Sequence, residues 1–187
     1  MPLEQLAQDR EELLRLIDQE SVVRGEVTLS SGAQAGYYID LRRVTLHHRA
    51  APLVGRVMLA MLDDAGIAPA AVGGLTMGAD PVGLAIVHAA AAQGRGIDGF
   101  VVRQKGKAHG LQRRIEGPHV VGRDVVAVED TSTTGGSVLT AVRALRDEGA
   151  HVVAVAVVVD RDTGARQRIE AEGLPYLAAY TKDDLGL

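Results

Sequence analysis

The sequence predicts an α/β protein: an open, mostly parallel sheet flanked by helices, with a small N-terminal helix and hairpin forming a hood. Three observations predict it. The runs Val125–Val128 and Val152–Val159 are continuously apolar instead of alternating, as strands buried on both faces are. From about His48 onward, strand-like and helix-like segments alternate, which implies right-handed crossovers between parallel strands. Gly66, Gly149 and Gly173 each stand where a helical pattern stops.

The elements follow in order. Leu3, Leu6, Leu13, Leu14 and Ile17 recur at helical spacing, so a helix covers Leu3 to Glu20. Val27-Thr28-Leu29 and Tyr37-Tyr38-Ile39-Asp40-Leu41, joined by Ser30 to Gly36, read as a β-hairpin with a long turn. A helix spans about His48 to Ala65, with Pro52 in its first turn. Ala71–Gly74 is a short strand, and Asp80-Pro81 caps a helix running to about Gln93. Strand Gly99–Arg103 precedes a polar loop from Gln104 to Arg123. Strand Val125–Val128 leads into helix Gly136 to Glu148, and strand Val152–Val159 into helix Ala165–Glu172. Strand Tyr176–Ala179 lies near the end. The length suits one domain, 1–187, with the hood (about 1–45) and the C-terminal tail as parts of it.

Composition removes several functions. There is no cysteine, so thiol catalysis, disulfides and Cys-ligated zinc are excluded. Four Tyr, one Phe and no Trp are too few for a platform that stacks single-stranded bases. A net charge of −4 argues against binding nucleic acid or an anionic membrane. The N-terminus lacks a signal-type apolar stretch and no apolar run is long enough for a membrane span, so a cytoplasmic protein is expected.

In open α/β sheets ligands sit beyond the carboxyl ends of the strands. After Val125–Val128 comes Glu129-Asp130-Thr131-Ser132-Thr133-Thr134-Gly135-Gly136-Ser137, opening a helix. Small residues let a phosphate approach backbone N–H groups, and the helix N-terminus favours its charge. The hydroxyls add donors. The carboxylates would repel phosphate and so should meet sugar hydroxyls or a hydrated Mg²⁺. The stretch is no Walker loop, since the lysine is missing and the glycine spacing differs.

A second feature is the loop Arg103-Gln104-Lys105-Gly106-Lys107-Ala108-His109-Gly110-Leu111-Gln112-Arg113-Arg114. It is strongly basic, with no acid before Glu116, and holds two of the only three lysines in a chain that otherwise uses arginine. Lysine is the compact ammonium suited to point contact with phosphate, and Gly106, Gly110 and Gly117 suit the hinges of a lid.

The acidic-Thr-Gly segment resembles the phosphoribosyl-diphosphate (PRPP) motif of the type I phosphoribosyltransferases. The resemblance implies that Glu129 and Asp130 contact the ribose hydroxyls and that Thr131, Ser132, Thr133, Thr134, Gly135, Gly136 and Ser137 wrap the 5′-phosphate. Arg103, Lys107 and His109 match the mobile catalytic loop of the orotate phosphoribosyltransferases, with Gln104 where that family has lysine and Lys105 one place later. Thr28 to Gly32 with Tyr37 to Asp40 is similar to the family's orotate-contacting hairpin, with Ser30 in place of a lysine. Gly73 to Pro81 resembles its pyrophosphate loop, with Gly78 where many members have lysine, and Asp160-Arg161-Asp162-Thr163-Gly164 its orotate-facing element.

From the resemblance follow an activity and an assembly. The activity is that of a pentosyltransferase of pyrimidine (UMP) biosynthesis: PRPP and orotate give orotidine 5′-phosphate and pyrophosphate. Arg103, Lys107, His109 and Asp130 are the catalytic candidates; Arg103, Gln104, Lys105, Lys107 and His109 join the PRPP site; Tyr38, Ile39, Thr133 and Arg161 meet orotate. Mg²⁺ arrives bound through PRPP, with no direct protein ligand. A homodimer is implied, the loop 103–116 reaching the other subunit's site. Two alternatives stay open: transfer to a purine or to uracil, and a PRPP-sensing regulator without turnover.

Overall fold

The computed structural model describes residues 2–28, 34–104 and 114–187. The opening helix, α1 (Leu3–Ser21), buries Leu13, Leu16 and Ile17 and leaves Leu3 exposed. It is followed by an antiparallel pair, β1 (Val22–Thr28) and β2 (Gln34–Ile39), which forms its own two-stranded sheet. β1 starts well before Val27 because Val22 and Val23 already pair with Ile39 and Tyr38. A short turn of helix, α2 (Arg42–Thr45), precedes α3 (Ala50–Asp64).

The main sheet contains β3 (Ala71–Leu75), β4 (Asp98–Val102), β5 (Ile115–Glu116), β6 (Asp124–Ser132), β7 (His151–Asp160) and β8 (Tyr176–Thr181). Their order across the sheet is β5-β4-β3-β6-β7-β8. Only β5 runs antiparallel to its neighbour. Helices α4 (Ala79–Ala92), α5 (Gly136–Asp147) and α6 (Ala165–Glu170) connect the strands, and a 3₁₀ turn, Asp183–Leu185, closes the chain.

Each central strand feeds two cores. Val126, Val128, Ala154, Ala156 and Val158 pack with α1, α3 and α4. Val125, Ala127, Val155 and Val157 pack with α5 and α6 on the other face. That two-sided burial explains the unbroken apolar runs. The hood is pinned to the body by half-buried polar contacts. Arg56 on α3 donates to both carboxylate oxygens of Asp9, at 2.6 and 2.9 Å. The guanidinium holds the buried Asp9 carboxyl below its usual range. Arg10 reaches the Ala179 carbonyl on β8, and the Tyr180 hydroxyl donates to the Arg10 carbonyl.

Two expectations change. Asp80 does not cap α4: the cap is Gly78, and the Asp80 carboxylate instead accepts the Thr76 hydroxyl at 2.7 Å. The acidic pair does not follow a strand but lies within one, since β6 continues to Ser132. Pairing with β7 carries it on, with Glu129 opposite Val157 and Ser132 opposite Asp160. From β3 the chain moves outward to β4, and from β6 it moves the other way to β7. The crevice between β3 and β6, at their carboxyl ends, is therefore the switch point where such sheets bind ligands.

Candidate active site

β6 carries two carboxylates into that crevice. Glu129 is 6% exposed. The Thr131 N–H donates to Asp130 Oδ1 at 2.7 Å, and the Asp130 N–H lies 3.3 Å from Glu129 Oε1. Burial, reinforced by the Asp130 charge beside it, pushes the Glu129 carboxyl up to about 8. Burial also raises Asp130, against the Thr131 N–H and the Arg42 guanidinium, which lower it. The free site thus stores an electrostatic penalty that a ligand can relieve.

The sign follows from linkage. The folded pair holds a proton over a range where the unfolded chain has lost it, so stability falls as pH rises from the ordinary Glu value of 4.5 toward 8. Melting of the ligand-free protein should show a Tm drop of roughly 5 °C across that window, about 1–2 kcal/mol in a chain of this size. In Glu129→Gln the drop should largely vanish. An equal pH slope in wild type and variant would mean the pair ionises without penalty.

Beyond the pair, Thr131 to Ser137 curls into the N-terminus of α5. Gly135 has φ +72°, the left-handed conformation that side chains resist. An added Cβ there would also press on Ile169 at 3.3 Å. Arg168 on α6 holds the loop from behind, donating to the Thr134 carbonyl at 2.6 Å. The loop, with Glu129, Leu75 and Gln104, lines a cavity of about 470 Å³. N–H groups of the first helical turn have no intrahelical acceptors and can serve an anion. The Thr131 and Ser132 hydroxyls are buried without partners among the described residues.

A second cavity, about 360 Å³, adjoins the first and shares Leu75, Gln104, Glu129, Thr131 and Ser137 with it. Its other walls are Tyr38 to Arg42 from the hood, the loop Thr76-Met77-Gly78, and Asp130. The expected base residues Tyr38 and Ile39 are thus brought to the acidic pair. Gly78 sits close against the pair: a Cβ would stand 2.7 Å from Asp130 Oδ1 and 2.8 Å from Glu129 Oε1, so a side chain here would require the carboxylates to shift.

Arg42 is a site residue that pattern reading passes over. Its Nε donates to Asp40 Oδ1 at 2.8 Å, and it lines the second cavity as that cavity's only cation among the described residues. The signal was its place directly after the Tyr-Tyr-Ile-Asp strand.

Arg103 and Gln104 root the basic loop at this crevice. The Arg103 N–H donates to the Arg114 carbonyl at 2.7 Å, closing the loop's base. The Arg103 guanidinium pairs with Glu116 at 3.3 Å beside Thr76 and Met77. Lys105, Lys107 and His109, like Ser30 in the hairpin turn, lie outside the described residues. Arg161 stands just past β7, its N–H donating to the Ser132 carbonyl at 2.9 Å. Thr133 is exposed on the loop that lines the first cavity.

Among the described residues no three His, Cys, Asp or Glu side chains converge as a metal cage, and no helix is long and apolar enough to cross a membrane. What the crevice offers is a polar, two-lobed pocket with carboxylates at its waist, an anion cradle in one lobe and a hood over the other.

Comparisons with known proteins agree on a single family. Residues 46–171 match the family model described as a phosphoribosyl transferase domain. The orotate phosphoribosyltransferase of Streptomyces coelicolor is 63% identical over 95% of this chain and 97% of its own. The crystal structure of Mycobacterium tuberculosis orotate phosphoribosyltransferase in complex with Fe(III) dicitrate superposes with a TM-score of 0.87 at 59% identity, covering 96% of this chain and 99% of that one. The same enzyme in complex with 5-phospho-α-D-ribosyl 1-diphosphate gives 0.83 at 55% identity, with the same coverage.

Proposed function

This chain belongs to the phosphoribosyl transferase family, and from that premise we propose how its pocket works as an orotate phosphoribosyltransferase, joining the ribose 5-phosphate of PRPP to orotate with release of pyrophosphate. The observation that carries the assignment of roles is the position of the acidic pair, Glu129 lining both lobes and Asp130 the second. The Thr131–Ser137 cradle takes the 5′-phosphate. The carboxylates accept the ribose hydroxyls, which fixes the anomeric carbon at the waist. Orotate enters under the hood beside Tyr38 and Ile39, with Thr133 and Arg161 completing its contacts.

Charge then sets the chemistry. Breaking the C1–pyrophosphate bond leaves a cationic sugar and an anionic leaving group. Glu129 and Asp130 stabilise the first. The second departs toward Thr76–Gly78, where Arg103, Gln104, Lys105, Lys107 and His109 close over it. Binding energy from the remote phosphate holds the reacting carbon in place. Mg²⁺ fits here as a companion of the diphosphate: adjacent hard carboxylate oxygens suit it and two residues are too few for a closed cage. Bound with PRPP, it would neutralise leaving-group charge.

Asp130→Asn tests the sugar-binding role, since it keeps the shape and loses the charge. PRPP binding by calorimetry and turnover should fall together, by about tenfold or more, as for a lost charge-assisted hydrogen bond. Wild-type binding and kinetics would leave the pair as a structural feature of β6.

The working unit we propose is a cytoplasmic homodimer, each chain acting as one domain with its hood. An apolar groove between α3 and α4, lined by Leu46, Pro52, Leu84 and Ala85, supports it. Leu46 is 71% and Leu84 56% exposed, apolar surface a partner would cover. If the loop 103–116 serves the other subunit's site, mixed Lys107→Ala and Asp130→Asn protomers place both defects in one site and none in the other. Random pairing should then restore up to about a quarter of wild-type activity. No recovery after demonstrated subunit exchange would place loop and pocket in the same chain.

A further inference from the structure

Arg161 is held in an unusual way. Its guanidinium carbon lies 5.0 Å from the ring centroid of Tyr37. No carboxylate among the described residues pairs with it, and its Nε is buried without a hydrogen-bond partner. The neighbouring Asp160 carboxylate accepts the Asp162 N–H at 2.9 Å. An aromatic face attracts a guanidinium without using any of its N–H donors. A carboxylate partner would have used them and cancelled the charge. Arg161 therefore keeps its planar fork and its full charge for an anion.

Tyr37 is also well placed to fix where that fork points. It lies in β2 opposite Arg24, and its half-buried ring packs against the core on the α1, α3 and α4 side. Arg161 is fixed at its backbone by the Ser132 carbonyl. One partner belongs to the hood and the other to the main sheet, and the two sheets share no strand pairing.

We propose that Tyr37 is the positioning residue for Arg161: its ring face holds the guanidinium flat at the carboxyl end of β7, so that the free edge meets the carboxylate of the incoming base. This rests on the reading that Arg161 receives orotate. It assigns the two adjacent tyrosines different work, Tyr38 lining the pocket and Tyr37 orienting the arginine.

The test is steady-state kinetics on the full-length protein with PRPP, Mg²⁺ and orotate. Tyr37→Leu should raise KM for orotate about tenfold, the scale of a desolvated cation–π contact, and leave kcat and KM for PRPP within about twofold. Tyr37→Phe keeps the ring and should behave like wild type. In an Arg161→Ala background, Tyr37→Leu should add nothing further to KM for orotate. Fluorinated phenylalanines at position 37 preserve shape while weakening the ring's negative face, so KM for orotate should climb with fluorine number even if Tyr37→Leu folds poorly. The proposal is overturned by an unchanged KM for orotate in Tyr37→Leu and the fluorinated series, by a parallel rise in both Michaelis constants, or by additivity with Arg161→Ala. A wild-type protein idle with orotate would remove the orotate reading as well; an active wild type with indifferent Tyr37 variants removes only this role.

Discussion

Lys107→Ala should lower kcat by about 30- to 1000-fold while KM for PRPP changes little, the signature expected of a cation that acts only on developing charge. The leaving pyrophosphate gains negative charge as the C1–O bond stretches. An ammonium brought to it at that moment stabilises the transition state more than bound PRPP. One preorganised charge of this kind contributes about 2–4 kcal/mol, which converts to that range of rates. The described flanks lie at the site: Gln104 lines both cavities, and the Arg103 N–H donates to the Arg114 carbonyl. Tm should hardly move, because Lys107 is assigned to the ligand and not to the core. Unchanged kcat would remove Lys107 from the chemistry. A fall in kcat matched by a fall in Tm would mark a folding defect.

Much of the fold was legible because burial on two faces leaves a compositional trace. The runs Val125–Val128 and Val152–Val159 feed both cores, as their lack of alternation implies. What pattern reading shortened were strand ends. Glu129 to Ser132 carry no apolar signal, yet they extend β6 because their backbone pairs with β7. Backbone pairing is blind to side-chain polarity, so hydropathy stops where the functional residues begin. The two-residue β5 was hidden in a polar loop for the same reason: its register against β4 comes from the sheet edge.

The site divides along similar lines. The carboxylates and the Thr/Gly loop are contiguous in sequence, so their chemistry showed as a motif. The proximity of Arg42 to Asp130 and of Tyr37 to Arg161 was missed because it joins residues distant in sequence. The Arg42 charge acts on Asp130, and the Arg161 guanidinium lies over the Tyr37 ring. Asp80 illustrates the opposite error. Beside proline it has the look of a helix cap, but the Thr76 hydroxyl claims its carboxylate from outside the helix. The closeness of Gly78 to the pair involves two side chains about fifty residues away, which local pattern cannot show.

The choice of base is the largest effect expected. Orotate is an anion at neutral pH, with a carboxylate beside the nitrogen that receives the ribose. Uracil, hypoxanthine and adenine are neutral and lack it. Arg161 has a buried Nε–H without a partner, and no carboxylate pairs with it among the described residues. If Arg161 receives the orotate carboxylate, as proposed, a neutral base leaves the guanidinium unmatched, and a site built around a polar partner rejects analogues lacking it by about 10⁴ or more. Arg161→Ala should accordingly cost orotate affinity and spare PRPP binding. The deciding measurement is pyrophosphate release with PRPP and Mg²⁺ across these four bases: turnover with orotate and nearly none with the neutral three is expected, whereas faster turnover of uracil, hypoxanthine or adenine than of orotate would contradict the assignment.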